Sequence, residues 1–242
     1  IYFLSSQNPV ATQVTVAFRM QGKQPELWDA VTGEIREATT FYQKEGKTLV
    51  PLDFGPNGSI FVVFRKALPA GSTAASKVPN YLNYRPIDTL KTRWRVLFDP
   101  EYGHQEMQVD SLISWTERPE PGIKYFSGAA MYRTSFDAAE LNGHLFIDLG
   151  AVKDVGIAHV KVNGKDLGVL WCPPFRVPVA GLLKAKGNEL EVMVVNSWRN
   201  RLVGDRGKPQ NERVTKTNVT IRPEWQLLDS GLLGPVRLMR GE

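Results

Sequence analysis

Four acidic side chains stand in polar, loop-like segments of the sequence, where binding and catalytic residues concentrate. A pair of carboxylates about 5–10 Å apart can cleave a glycosidic bond, one acting as the acid and the other as the base or nucleophile. The four are Glu117, Glu120, Asp205 and Glu224. Their spacing places no two of them together, and surface or turn-capping roles explain each one. We therefore predict no catalytic residue in this chain.

The histidines and the cysteine form no pattern typical of a metal or nucleophile site. His104, His144 and His159 are isolated, and no HxxH or HExxH spacing joins them. The single cysteine, Cys172, has no histidine close to it in sequence, so acyl-transfer chemistry is unsupported. Its place between a tryptophan and a proline predicts a small buried apolar side chain.

Aromatic side chains beside polar segments point to carbohydrate binding instead. An aromatic ring stacks on the apolar face of a pyranose, while amide, carboxylate and guanidinium groups fix its hydroxyls. Trp115 and Trp198 lie next to polar segments, and Asn200, Arg201 and Asp205 follow Trp198 closely. These five are our candidate carbohydrate-binding residues. Core packing or loop anchoring is the alternative for each, and Asp205 could brace Arg201.

The charge and composition argue against two classes of partner. The net charge is +5 and the isoelectric point about 9.3, but the basic residues are dispersed among acids and form no run. We therefore predict no nucleic-acid partner. No apolar run approaches the roughly 18–20 residues that span a bilayer, so no membrane partner is expected. The chain begins IYFLSSQNPV, without an initiator methionine or signal peptide, and we expect it to start inside a longer protein.

The elements that must position the candidate residues are predicted to be β-strands. Apolar and polar side chains alternate over residues 14–20, which is the period of a half-buried strand. Further strands are predicted over 35–42, 47–52 and 59–65. Together they give a small antiparallel β-sandwich over residues 1–66. Small residues, serine, threonine and proline dominate 67–85, which we interpret as a linker.

The second segment, residues 86–242, carries about eight more strand patterns and almost no helix, which favours an all-β, two-sheet jelly roll. Asn163-Gly164 predicts a tight hairpin, because a type I′ turn needs positive φ at both central residues. The strand before it would bury Val160 and Val162, and Trp171 is predicted to lie in the core. Two more predictions are a long strand within 123–136 and a polar loop over 198–207.

Several motifs of this segment resemble the sugar-binding-like jelly roll of glycoside hydrolases, which has the galactose-binding-like fold. They are IKYFSG at 123–128, VKVNG at 160–164 and GNEL at 187–190. NRLVGD at 200–205 and SGLLGPV at 230–236 resemble the C-terminal end of bacterial α-L-rhamnosidases of glycoside hydrolase family 106. GKQPELWD at 22–29 is similar to a β-sandwich of the same family.

The resemblance implies a role without chemistry of its own. It places the catalytic barrel before Ile1, so no catalytic residue of the family can be transferred to this chain. The barrel would be one partner and a carbohydrate the other, and the location would be periplasmic or secreted. No cofactor is expected, although jelly rolls of this class also accommodate a structural calcium ion.

Three functions stay open at this point. The first is a non-catalytic accessory region of a glycoside hydrolase acting on plant or complex glycans. The second is an independent carbohydrate-binding module, which would display an exposed pair of tryptophans. The third is a structural or interaction domain without a ligand, which would display a large apolar patch.

Overall fold

The computed structural model describes residues 1–69, 78–99 and 106–242. The chain divides into two compact units, Ile1–Asn83 and Tyr84–Glu242. Antiparallel strands build both units almost entirely, which confirms the predicted all-β class. The stretch predicted as a linker, 67–85, falls partly at 70–77, outside the described residues, and its residues 78–83 belong to the first unit.

The first unit is a small sandwich of two sheets. Its strands are β1 (Tyr2–Ser5), β2 (Thr12–Phe18), β3 (Lys23–Trp28), β4 (Ile35–Glu37), β5 (Tyr42–Lys44), β6 (Lys47–Phe54) and β7 (Ser59–Ala67). One sheet has the order β1-β7-β3-β4 and the other β2-β6-β5. In β6, Val50 and Leu52 point into the core and alternate with more exposed residues. The segment predicted as one strand over 35–42 is divided between β4 and β5, so that prediction is wrong in detail.

The second unit has two main sheets around one core. Its strands are β8 (Tyr84–Thr89), β9 (Trp94–Phe98), β10 (Glu106–Val109), β11 (Ala129–Phe136), β12 (His144–Asp148), β13 (Ala151–Lys153), β14 (Ile157–Val162), β15 (Lys165–Leu170), β16 (Arg176–Pro178), β17 (Asn188–Val195), β18 (Gly231–Gly234) and β19 (Arg237–Gly241). The larger sheet has the order β10-β9-β11-β17-β14-β15, the second β16-β12-β19-β8, and β13 pairs with β18. Both main sheets contribute side chains to the core, as a jelly roll requires.

Helices are short in this unit. Among the described residues of the unit they are α1 (Pro121–Lys124), α2 (Arg199–Asp205) and two 3₁₀ turns, Trp115–Glu117 and Gln210–Glu212. Within the described ranges, no helix has the length and apolar character needed to cross a membrane.

The predicted hairpin is confirmed at β14 and β15. Asn163 and Gly164 have φ angles of 50° and 77°, and Val160 and Val162 are fully buried. The Asn163 side chain has a second task, because its amide donates to the Leu182 carbonyl at 2.8 Å and its oxygen accepts a backbone N–H. The turn is thereby tied to a neighbouring loop.

One predicted element is present but starts later than its bounds, and another is wrong. The long strand predicted within 123–136 is β11, which starts only at Ala129 because α1 covers 123 and 124. Pro121 favours the first turn of that helix, which buries Ile123. The predicted polar loop over 198–207 is mostly helix α2. The sequence shows no apolar periodicity for this helix, because the side chains that the helix buries are polar: Asn200, Arg201 and Asp205.

Trp171 is also misplaced by the sequence interpretation. The side chain is 56% exposed rather than in the core, and Cys172 is half-buried rather than buried. The reason is the position of β15, which is the edge strand of the larger sheet and leaves most of its side chains exposed. Apolar neighbours in sequence therefore do not imply burial at this edge.

Candidate functional site

Trp115, one of the five candidates, is a core residue. Its side chain is 3% exposed and packs edge-on against Phe98 and Phe126, each with a ring-centroid distance of 5.4 Å. The indole N–H donates to the Tyr132 hydroxyl, which also accepts the Leu232 backbone N–H at 3.3 Å. Burial raises the pKa of Tyr132 to about 12, so its phenol stays protonated. The indole therefore has no face free for a sugar.

Gly231 explains part of the SGLLGPV motif through this same contact. Its φ is +105°, and a Cβ there would lie 2.5 Å from the indole nitrogen of Trp115. Only glycine fits such a backbone beside such a ring. The motif thus reflects packing around Trp115.

Asn196 and Asn200 form what we call the asparagine clamp. The Asn200 amide donates to the Leu228 carbonyl at 2.7 Å and to the Ser230 hydroxyl at 2.8 Å, and its oxygen accepts the Leu228 backbone N–H at 2.8 Å. Asn196 donates to the Phe126 carbonyl at 2.9 Å. With Asn200 only 1% exposed, the clamp supplies partners to backbone groups that no strand pairs.

Asp205 fixes the segment that follows α2. Its carboxylate is fully buried and accepts two hydrogen bonds of 2.7 Å, from the backbone and the hydroxyl of Thr215, and Lys208 lies 3.5 Å away. Burial alone would raise the pKa of this carboxyl, but the Thr215 hydrogen bonds outweigh it and the pKa is lowered. A buried acid already satisfied in this way is a structural anchor.

Arg201 and the glycine of the NRLVGD motif hold α2 against its neighbours. Arg201 is 6% exposed, and its guanidinium Nη2 donates to the Gly122 carbonyl at 3.5 Å. A Cβ on Gly204 would lie 2.6 Å from the ring of Tyr125. The motif that carries much of the family resemblance is therefore explained by helix packing.

Trp198 is the candidate residue that remains accessible, and Trp171 joins it. Both are 56% exposed, and Val155 and Ile157, just before and at the start of β14, are 62% and 37% exposed. Ile157 pairs with Val195 across the larger sheet, while β15 runs along the other side of β14. All four lie at one end of that sheet, and we call this the tryptophan surface.

Short hydrogen bonds position Trp198 on the tryptophan surface. The backbone and hydroxyl of Ser197 donate to the Asp154 carboxylate at 2.9 and 2.7 Å. Arg199 then lies over the Trp225 ring at 4.1 Å from its centroid. These contacts hold the residues on both sides of Trp198 in place, as a binding surface requires. Sequence reasoning missed Trp171 because its edge position depends on strand order.

The remaining candidate groups are not brought together. Glu117 and Glu120 are exposed in the short stretch between the Trp115–Glu117 turn and α1, and Glu224 is exposed on a distant segment. His104 lies outside the described residues. Across 1–69, 78–99 and 106–242, no group of three or more His, Cys, Asp or Glu side chains could hold a metal ion. A structural calcium ion held by backbone carbonyls with Asp or Asn stays a prediction.

Similarity to known proteins places the chain in a wider context. No protein-family model matches it. The solved structure of a rhamnosidase from Novosphingobium sp. PP1Y matches 98% of the chain, with a TM-score of 0.88 and 36% identity. A curated Formosa agariphila protein that carries the provisional name β-glucuronidase is 36% identical over an alignment of 161 residues, and the match covers 55% of this chain. The chain matches a partial region of glycoside hydrolases. The resemblance seen in the sequence is confirmed at this level.

The matched region is a small part of both relatives. The chain spans 22% of the length of the rhamnosidase chain and 14% of the provisional β-glucuronidase. The two relatives carry different activity names.

Proposed function

We propose that the chain is a non-catalytic accessory region of a bacterial glycoside hydrolase of the α-L-rhamnosidase type, acting on plant or complex glycans. The observation that carries this proposal is the match to the rhamnosidase: nearly all of this chain aligns with about a fifth of that one. The region would follow the catalytic barrel, and the protein would act in the periplasm or outside the cell.

The carboxylates support a role without catalysis. Hydrolysis needs two acids that face each other across a substrate. Asp205 is buried and bonded to Thr215, Glu117 and Glu120 are both exposed in the short stretch that joins the Trp115–Glu117 turn to α1, and Glu224 is exposed on a distant segment. None of these arrangements resembles an acid–base pair.

The tryptophan surface supports contact with the catalytic domain. Trp171 and Trp198 are each more than half exposed. Burying their apolar area against another domain would stabilise the protein by about 25 cal/mol per Å². Covering this surface with the barrel would stabilise both parts of the enzyme. The region would then act as a support for the barrel.

Paired substitutions in the complete gene product test this role. Trp171→Ser with Trp198→Ser should lower the melting temperature of the complete protein, because the contact is lost. The same pair should leave the melting temperature of residues 1–242 unchanged. Tyr42→Ser, which removes an exposed aromatic side chain of the first unit, is the matched control. Equal melting temperatures for the complete protein with and without the tryptophan pair would contradict the proposal.

A second candidate function is carbohydrate binding at the tryptophan surface. The observation that favours it is the exposed pair, Trp171 and Trp198, at one end of one sheet. Affinity electrophoresis of the chain in gels that contain plant polysaccharides would show retardation, which the double substitution should abolish. Unretarded migration in every gel would exclude this function.

A further inference from the structure

A groove of about 390 Å³ lies on the first unit, far in sequence from the tryptophan surface. Its floor is one face of the three-stranded sheet. Gln13 pairs with Asp53 and Thr15 with Pro51 across β2 and β6, so these four side chains share a face. Leu52 between them points the other way and is fully buried. The floor is therefore the outer face of a well-packed sheet.

The wall of the groove is the segment 79–83, and Asn80 fastens it to the sheet. The Asn80 amide donates to the Thr40 carbonyl at 2.8 Å and to the Pro51 carbonyl at 3.0 Å, and its oxygen accepts the Thr40 backbone N–H at 2.9 Å. This position is open because β5 pairs with β6 only over 47–49. Asn80 is 6% exposed, so the wall is held in place by buried hydrogen bonds.

Tyr81 gives the wall a second anchor. Its ring packs against the core of the first unit, and the Arg36 guanidinium lies 4.8 Å from the ring centroid. Arg36 also donates to the Asn80 carbonyl. Two neighbouring residues of the wall are thus each held by several contacts, and the groove is preformed. Preformed sites bind without the cost of ordering a loop.

The lining has the chemistry of a hydroxyl-rich ligand. The polar groups are amides and hydroxyls together with one carboxylate, contributed by Gln13, Thr15, Thr40, Asn83 and Asp53. Pro51 and Pro79 add small apolar faces. The volume lies within the roughly 300–1,000 Å³ of small-ligand sites. Amides and hydroxyls both donate and accept, as sugar hydroxyls do.

The charge of the groove selects among sugars. Asp53 is the one charged side chain among the described residues that line it, and the Gln13 amide donates to its Oδ2 at 3.1 Å. A uronic acid would bring a second negative charge beside Asp53 and be disfavoured. We propose that this groove binds a neutral oligosaccharide. The proposal is independent of the accessory role, because it concerns the first unit alone.

Calorimetric titration of the 242-residue chain tests the proposal. The probes are neutral oligosaccharides of three to six rings, built from hexoses, pentoses or deoxyhexoses, and uronic-acid oligosaccharides of the same lengths. At least one neutral probe should bind with a Kd below about 10 mM. No saturable binding of any neutral probe, or tighter binding of the uronic acids, would overturn the proposal.

Three substitutions locate the binding. Thr15→Trp fills the groove from an exposed position and should weaken binding of the neutral probe by roughly tenfold or more. Ala17→Trp, on the same strand and face but outside the groove, should leave the Kd within about twofold. Asp53→Asn keeps an oxygen that accepts the Gln13 hydrogen bond but removes the negative charge. The difference in Kd between neutral and acidic probes should therefore become smaller. This variant is a second test if Thr15→Trp fails to fold. An unchanged Kd in Thr15→Trp, or loss of binding only in the Trp171 and Trp198 variants, would overturn the assignment.

Discussion

Asn200→Ala separates a structural role for the asparagine clamp from a role in ligand binding. The substitution removes three hydrogen bonds, to the Leu228 carbonyl, the Leu228 N–H and the Ser230 hydroxyl. At about 1 kcal/mol each, and with a side chain only 1% exposed so that water does not replace them, the loss is about 3 kcal/mol. For a unit of this size that corresponds to a melting temperature lower by about 6–12 °C.

Differential scanning calorimetry of the whole chain measures this change, and amide exchange at Leu228 reports it locally. The Leu228 N–H should exchange faster, because its acceptor is gone. Asn218→Ala is the matched control. Asn218 is an exposed asparagine without a described hydrogen bond and lies, like Leu228, between α2 and β18. If Asn200→Ala lowers the melting temperature no more than Asn218→Ala does, the asparagine clamp does not hold the segment around Leu228. The structural role of Asn200 would then be refuted.

Three further predictions test other parts of the account. Gly231→Ala should destabilise the chain by more than about 2 kcal/mol, because its φ is +105° and its Cβ would meet Trp115. Gly207→Ala, with φ +81° and open space around it, should cost about 1 kcal/mol. Urea denaturation measures both values. Hydrogen bonds from Arg65 and Trp28 hold the pKa of the buried Glu26 below its ordinary 4.5, against the effect of burial. The stability that this carboxylate contributes is therefore complete above pH 4.5 and is lost as the pH falls through the lower folded-state pKa. When the urea midpoint is measured against pH, Glu26→Gln should flatten the acid side of the curve. Glu34→Gln should not. Trp198→Ser should change the stability of the isolated chain by less than about 0.5 kcal/mol, since the side chain is 56% exposed; a larger loss in thermal denaturation would mean that Trp198 is packed.

Local sequence signals were sufficient for much of the fold. The Asn163-Gly164 turn predicts the hairpin of β14 and β15, because a tight turn depends only on residues that are neighbours in the chain. The predicted strands over 47–52 and 59–65 have counterparts in β6 and β7. Period and turn chemistry are properties that a single sequence carries.

The candidate site was harder to predict, because it depends on contacts between distant segments. Asn200 and Asp205 have the residue types of ligand-binding groups, and only the positions of Leu228 and Thr215 show that their hydrogen bonds are used internally. The exposure of Trp171 follows from strand order rather than from its apolar neighbours. The groove beside Asn80 joins residues about forty positions apart and left no local pattern.

The central claim is that this chain accompanies a glycoside hydrolase without performing the hydrolysis. Release of nitrophenol from an aryl α-L-rhamnoside, measured side by side for residues 1–242 and for the complete gene product, tests it most directly. We expect the complete protein to release nitrophenol and the 242-residue chain to stay at the level of the blank. Release by the chain alone, well above the blank, would contradict the account.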